Sequence, residues 1–226
     1  MRTLIPNIFT SSNLIFGVLS IIKTLEKDFF TASIFIILAL VADAFDGRTA
    51  RFFGVDGDFG KELDSLCDVV SFGAAPAILI YTMYLQPLGY IAFIPIAVFP
   101  VCAAFRLARF NISTDSVQGY FMGLPAPAGG CIVATFALAG LDVMPVIVAI
   151  GLIAYGLLMY STVRYPDFKG KGNPIRKFSA VLAVVLAVYL LYILPMIAIP
   201  FVLFFSYTIM GLVNFLHVQI TGGYDS

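Results

Sequence analysis

The sequence predicts an all-α integral membrane protein, and three observations carry that reading. The chain is 61% hydrophobic, only 12% charged, and has a mean hydropathy of +1.00. Its apolar residues fall in stretches of about 20, the length that crosses a hydrocarbon core of roughly 30 Å as a helix. Its acids are not spread out: Asp43, Asp46, Asp56, Asp58, Glu62, Asp64 and Asp68, seven of thirteen, lie within 26 residues. The net charge of zero hides that clustering, and no polar segment is left over to form a separate soluble domain.

Breaks at charges, Gly and Pro divide the chain into eight candidate spans, at 4–22, 29–50, 61–85, 89–108, 124–141, 144–163, 178–194 and 196–216. The first is expected to be retained rather than cleaved, because Pro6, Asn7 and Thr10 interrupt its apolar run and no small-residue cleavage site follows. The second and third are joined by the glycine-containing turn Gly54-Val55-Asp56-Gly57-Asp58-Phe59-Gly60, which makes them antiparallel neighbours. Pro125 and Pro127 suit the first turn of the fifth, and Gly129 and Gly130 behind them permit a close helix crossing. Only the surroundings of Pro195 separate the last two, which are expected to form a hairpin. Cys67, Cys102 and Cys131 are odd in number and scattered, so they are expected to be small buried hydrophobes rather than a disulfide framework or a thiolate metal site.

Orientation follows from Lys and Arg. With eight spans and both termini on one side, that side holds Arg2, Arg48, Arg51, Lys61, Arg106, Arg109, Arg164, Lys169, Lys171, Arg176 and Lys177, against Lys23 and Lys27 opposite. The positive-inside rule makes that side cytoplasmic. The clustered acids then sit at the cytoplasmic ends of the second and third spans, where soluble substrates and ions reach them. The basic loop 164–177 would lie at the anionic leaflet, though topology alone accounts for it.

The chemistry is in the acids. Asp43, Asp46, Gly47, Ala50 and Arg51 fall within about 140° of one helical face, and Gly60, Asp64 and Asp68 repeat at steps of four on the next helix. The two stripes can face each other. Four carboxylates converging at membrane depth cost free energy unless something cationic binds them. Hard divalent cations prefer such oxygen ligands, and Mg²⁺ binds through carboxylates and substrate phosphates. Two ions would cancel the four charges. Arg51 offers a fork for phosphate, while Gly47 and Gly60 leave room for a bulky ligand to approach the backbone. These are parts of a phosphoryl-transfer site. Paired acids on transmembrane helices also serve proton or ion pathways, so an ion-coupled transporter is the rival from another class.

The complete pattern D-x-x-D-G-x-x-A-R-x8-G-x-x-x-D-x-x-x-D, from Asp43 to Asp68, resembles the signature of the CDP-alcohol phosphotransferase family. The resemblance implies a six-helix transmembrane core, covering residues 1–163, with 164–226 added as a basic cytoplasmic loop and a C-terminal helical hairpin. It implies an enzyme that attacks a CDP-linked donor with an alcohol and releases CMP. Asp43, Asp46, Asp64 and Asp68 match the metal ligands, the implied ions being Mg²⁺ or Mn²⁺ as a pair, with Asp68 doubling as general base. Gly47, Ala50, Arg51 and Gly60 match the positions that enclose the CDP moiety. A homodimer is implied as well, although no stripe marks its interface, and nothing points to nucleic acid.

Three further segments, 5–10, 105–111 and 121–128, resemble in their joint order the serine-accepting branch of that family. They imply CDP-diacylglycerol as donor and L-serine as acceptor, with glycerol 3-phosphate or an inositol phosphate as the alternatives. Arg106 and Arg109 could meet the acceptor carboxylate or a lipid phosphate, or simply anchor a helix end. Asn7 and Thr10, three apart with Asn13 close by, could line the nucleotide or phosphate pocket, or mark a helix start at the interface. Asp56, Asp58 and Glu62 lie outside the pattern and read as a wetted turn. His217 has no partner in view and reads as a surface residue.

Overall fold

The computed structural model describes residues 4–53, 57–112, 120–166 and 177–221. Helix α1 (Leu4–Leu25) and helix α2 (Phe29–Phe53) form an antiparallel pair. Lys27 turns the chain at φ 61°, and the Asp28 carboxylate accepts the Thr31 N–H at 3.1 Å, capping α2. The Thr31 side chain first, and then this N–H, hold the Asp28 carboxyl below the usual carboxylate range.

The third run is not uniform. Helix α3 (Asp58–Asp68) passes into a π-helical turn (Val69–Ala74), then α4 (Ala75–Ile80) and a second π turn (Tyr81–Leu85). Pro76 stands at the start of α4 and has no N–H to give the preceding turn, a cause for the local widening there. A 3₁₀ segment (Gln86–Ala92) is broken at Gly89 (φ 57°, ψ −133°) before α5 (Phe93–Ile112), which contains Pro100. Then come α6 (Ala126–Ala139), α7 (Pro145–Tyr160), α8 (Lys177–Ile193), a 3₁₀ turn (Met196–Ala198) and α9 (Ile199–Thr221). Strands β1 (Tyr120–Met122) and β2 (Arg164–Pro166) pair antiparallel, with Phe121 opposite Tyr165. Helices α8 and α9 pack together as the expected hairpin.

The eight stretches read from hydropathy are thus eight helical runs among the described residues, but they differ in length. Four windows are long and apolar enough to cross a membrane: Ile8–Leu25, Phe29–Thr49, Asp58–Ile112 and Met196–Ile220. The third contains two of the expected spans, divided at Gly89. Helix α6 has only 14 residues, about 21 Å at 1.5 Å per residue. It is bounded by Pro125 at one end and at the other by Gly140, whose φ of 60° closes the helix in a left-handed cap. Ten of its residues are buried, so protein rather than lipid sets its length.

Lipid tails are as apolar as leucine, so burial alone does little to hold such helices together and close packing must do it. Helix α6 packs on α2, α4, the first π turn and α9. A Cβ on Gly130 would stand 2.7 Å from Phe72 Cα, and one on Gly73 would stand 3.3 Å from Pro100 Cα. Gly156 allows the same approach of α7 to Phe99 on α5. The three cysteines are free and buried, as expected.

Candidate active site

Three elements build the site. Helix α2 carries Asp43 and Asp46 near its end, α3 carries Asp64 and Asp68, and α1 lies against both. Asp43, Asp64 and Asp68 offer carboxylate oxygens that all lie within 4.8 Å of one another. Asp46 is turned toward α1, where its Oδ2 accepts the Thr10 hydroxyl at 3.0 Å. Asp68, only 4% exposed, has its Oδ1 held by Asn13 Nδ2 at 2.9 Å. Ser71, in the π turn, donates to the Asn13 carbonyl at 2.9 Å and so ties α1 to the backbone just past Asp68. Facing helices thus bring Asp43, Asp64 and Asp68 into one cluster, while Asp46, the fourth acid of the pattern, is held by Thr10.

Two of those acids lack an ion-pair partner. Asp64 and Asp68 make no ion pair with any described residue, and Asp64 Oδ1 is buried with no hydrogen-bond partner among them. Burying an uncompensated carboxylate costs several kcal/mol, roughly, even after relaxation. The donor set is all carboxylate oxygen, with one oxygen orphaned where three acids converge. That set fits a hard divalent cation, and the cluster could hold one. Gly60, on the first turn of α3, has nothing within 4 Å of where a Cβ would stand, so the flank of the cluster is open there. Gly47 lies half-buried on α2. The side chains of Asn7, Ala50 and Arg51, and all of Asp56, are outside the described residues.

The two arginines that spacing places on one face of α5 have different surroundings. Arg109 gives Nη1 to the Tyr160 carbonyl at 2.8 Å and Nη2 to the carbonyls of Ser161 and Met122 at 3.0 and 3.2 Å. Its Cζ lies 4.9 Å from the Tyr160 ring centroid. It therefore binds the C-terminal end of α7 to the edge of β1. Arg106 is 7% exposed, sits over the Phe110 ring at 5.6 Å, and makes no hydrogen bond or ion pair with a described residue. Asp68 and Asp43 are the acids within its electrostatic reach.

Sequence reasoning noted Asn13 only as a neighbour of Thr10. Its contact with Asp68 spans 55 residues, and the only available signal was its place three residues after Thr10 on α1. Glu62 is exposed, as expected, and accepts from Asn111 at 3.3 Å across to α5. His217 is half-buried in the last turns of α9 rather than on the surface. Helix α9 also docks on the strand pair: Tyr165 of β2 is fully buried, with its ring against Gly211 and 5.4 Å from that of Tyr207.

A predominantly helical bundle with an acid cluster between its second and third helical runs defines the class of protein. The chain belongs to the CDP-alcohol phosphatidyltransferase family, whose pattern matches residues 3–163. A CDP-diacylglycerol–serine O-phosphatidyltransferase of Helicobacter pylori strain J99 is 34% identical over 224 residues, covering 96% of this chain and 93% of that one. The protein of the same name from Bacillus subtilis strain 168 is 36% identical over 166 residues, 73% of this chain and 91% of that one. An archaetidylserine synthase of Methanothermobacter thermautotrophicus is 36% identical over 171 residues, 74% of this chain and 72% of its own.

Proposed function

We propose that this protein transfers the phosphatidyl group of CDP-diacylglycerol to L-serine, giving phosphatidylserine and CMP. The observation that carries the reading is the convergence of Asp43, Asp64 and Asp68, with an orphaned buried oxygen on Asp64, in a chain whose relatives bear that activity in their names. Asp43, Asp46, Asp64 and Asp68 would hold two divalent ions, Mg²⁺ or Mn²⁺. Ions held there would supply charge neutralisation of the donor's diphosphate and of the leaving CMP.

The chain's own groups do the rest. Asn13 occupies one oxygen of Asp68 and fixes the carboxylate's orientation, leaving the other oxygen to accept a proton. Asp68 takes the hydroxyl proton of serine as serine Oγ forms a bond to the phosphorus that bears diacylglycerol. The bond from that phosphorus to the CMP oxygen breaks, CMP leaves with the electron pair, and the proton stays on Asp68. Thr10 orients Asp46 in the same way as Asn13 orients Asp68. Gly47, Ala50, Arg51 and Gly60 enclose the CDP moiety, with Asn7 beside them. Arg106, a buried cation without an acceptor among the described residues, receives the serine carboxylate. The backbone contacts of Arg109 support a structural role beside it. Much of the acceleration comes from alignment of hydroxyl and phosphorus.

In this reading the protein is a multi-pass homodimer with the acids and both termini on the cytoplasmic side. Residues 1–163 form the catalytic core and 164–226 the added loop and hairpin. The test is CMP release by purified protein given CDP-diacylglycerol and Mg²⁺ or Mn²⁺, with L-serine, glycerol 3-phosphate and inositol phosphate offered separately. Serine-dependent release that a chelator abolishes is the expected result. Turnover only with another acceptor would keep the family and reject the acceptor.

A further inference from the structure

Asn13 has an unspent half. The residue is fully buried on α1, and its Nδ2 is committed to Asp68 Oδ1 at 2.9 Å. A carboxylate oxygen only accepts, so the amide nitrogen must face it and the amide oxygen must face elsewhere. That oxygen, Oδ1, is buried and has no hydrogen-bond partner among the described residues. Ser71 does not serve it, because its hydroxyl goes to the Asn13 backbone carbonyl. Leaving a buried carbonyl unpaired costs about 1–3 kcal/mol. A brace for Asp68 needs only a donor, which Ser or Thr would supply without that cost.

The orphan oxygen and the amide nitrogen share one planar carbon, so Oδ1 stands beside the carboxylate that Nδ2 holds. Within electrostatic reach of Asp68 is Arg106, buried, cationic and without an acceptor among the described residues. An acceptor oxygen and a guanidinium thus both lie in the neighbourhood of the carboxylate assigned as proton acceptor. Serine has matching groups: an ammonium with three donors, a carboxylate, and a hydroxyl two carbons from the nitrogen. An ammonium seated on Asn13 Oδ1 would leave the hydroxyl, two carbons away, to reach for Asp68 and the carboxylate to pair with Arg106.

We infer that Asn13 Oδ1 is the receptor for the ammonium group of the acceptor alcohol, making Asn13 a specificity-determining residue as well as the brace of Asp68. The inference rests on the serine reading above and deepens it. It supplies what Arg106 alone does not, since glycerol 3-phosphate and inositol phosphate are anions too but carry no ammonium. The contact forms in a desolvated complex, where an unpaired polar group discriminates strongly.

The experiment compares CMP release by the full-length protein with L-serine and with 3-hydroxypropionate, which lacks only the ammonium, in wild type, Asn13→Ala and Asn13→Ser. Wild type is expected to prefer serine by at least about 10²-fold in kcat/KM. Asn13→Ala is expected to lose activity through Asp68 and Asn13→Ser to keep more of it, and in both the preference is expected to fall below roughly 10-fold. A variant whose activity falls equally on both acceptors, with the preference intact, reduces Asn13 to a brace and overturns the inference. A kept preference with a raised metal requirement overturns it in favour of a metal ligand. Should neither variant fold, wild type still decides, because a preference of less than about 3-fold leaves no ammonium contact to explain. Failure of the underlying reading looks different: wild type then releases no CMP with serine at all.

Discussion

Replacing Gly130 with alanine adds one methyl group at the point where α6 crosses the π turn that follows Asp68. The added Cβ would stand 2.7 Å from Phe72 Cα, 2.8 Å from Phe72 Cβ and 2.9 Å from Phe72 O. Ordinary contact begins near 3.4 Å, so α6 and the π turn must separate by a substantial fraction of an ångström. Two of the three atoms met are backbone, and no rotamer change removes them. Overpacking of this kind costs about 1–3 kcal/mol, and the backbone contact puts this site at the upper end. The gain in helix propensity from Gly to Ala returns about 1 kcal/mol, leaving a net loss of roughly 2 kcal/mol. Phe72 lies four residues after Asp68 and next to Ser71, so the same displacement loosens the clamp on Asn13 and lowers kcat. Gly151→Ala is the control: nothing lies within 4 Å of its added Cβ, so the identical change should be neutral or slightly stabilising. Thermal unfolding in detergent together with CMP release measures both. A Gly130→Ala protein as stable and as active as Gly151→Ala would refute the packing argument.

The remaining expectations concern charge. Asp64→Asn removes a half-buried carboxylate whose buried Oδ1 has no partner among the described residues, so the metal-free protein should be as stable as wild type or more so, while CMP release falls by at least about 10²-fold. Unfolding of chelated protein, run beside the turnover assay, checks both halves. Arg109→Gln loses charge-assisted bonds to three carbonyls and should destabilise the fold by about 2–3 kcal/mol with little change in serine KM. Arg106→Gln should do the reverse, raising serine KM about 10-fold or more at nearly unchanged stability, since that guanidinium bonds no described residue. Equal effects of the two substitutions on KM would contradict the division of labour. Thr10→Val should leave the fold intact and lower kcat through Asp46, which loses the hydroxyl bonded to its Oδ2.

What hydropathy and spacing encode locally was legible: the eight apolar stretches, the hairpin at Pro195, the buried cysteines and the two acidic stripes. Each follows from helical periodicity or from single residues that end a helix. The long-range features were not. Whether Arg106 and Arg109 bind substrate or hold the fold depends on the Tyr160 and Ser161 carbonyls about fifty residues away, which no spacing on α5 announces. Nor does α1 declare that Asn13 meets Asp68, 55 residues on. The shortness of α6 comes from Pro125 before it and the left-handed cap at Gly140 after it. The two strands are three residues each and pair across more than forty positions, below the length at which alternation can be seen.

The central claim is that the acids of α2 and α3 hold the cations on which transfer to serine depends. Its most direct test pairs Mn²⁺ binding, followed by electron paramagnetic resonance, with incorporation of labelled serine into lipid, in wild type and Asp64→Asn. The account predicts saturable Mn²⁺ binding and labelled phosphatidylserine in wild type, and loss of both in a folded Asp64→Asn protein. Labelled lipid formed by Asp64→Asn or by fully chelated wild type would contradict it. So would folded, Mn²⁺-loaded wild type that releases no CMP with any alcohol, a result that would return the ion-transport reading to the front.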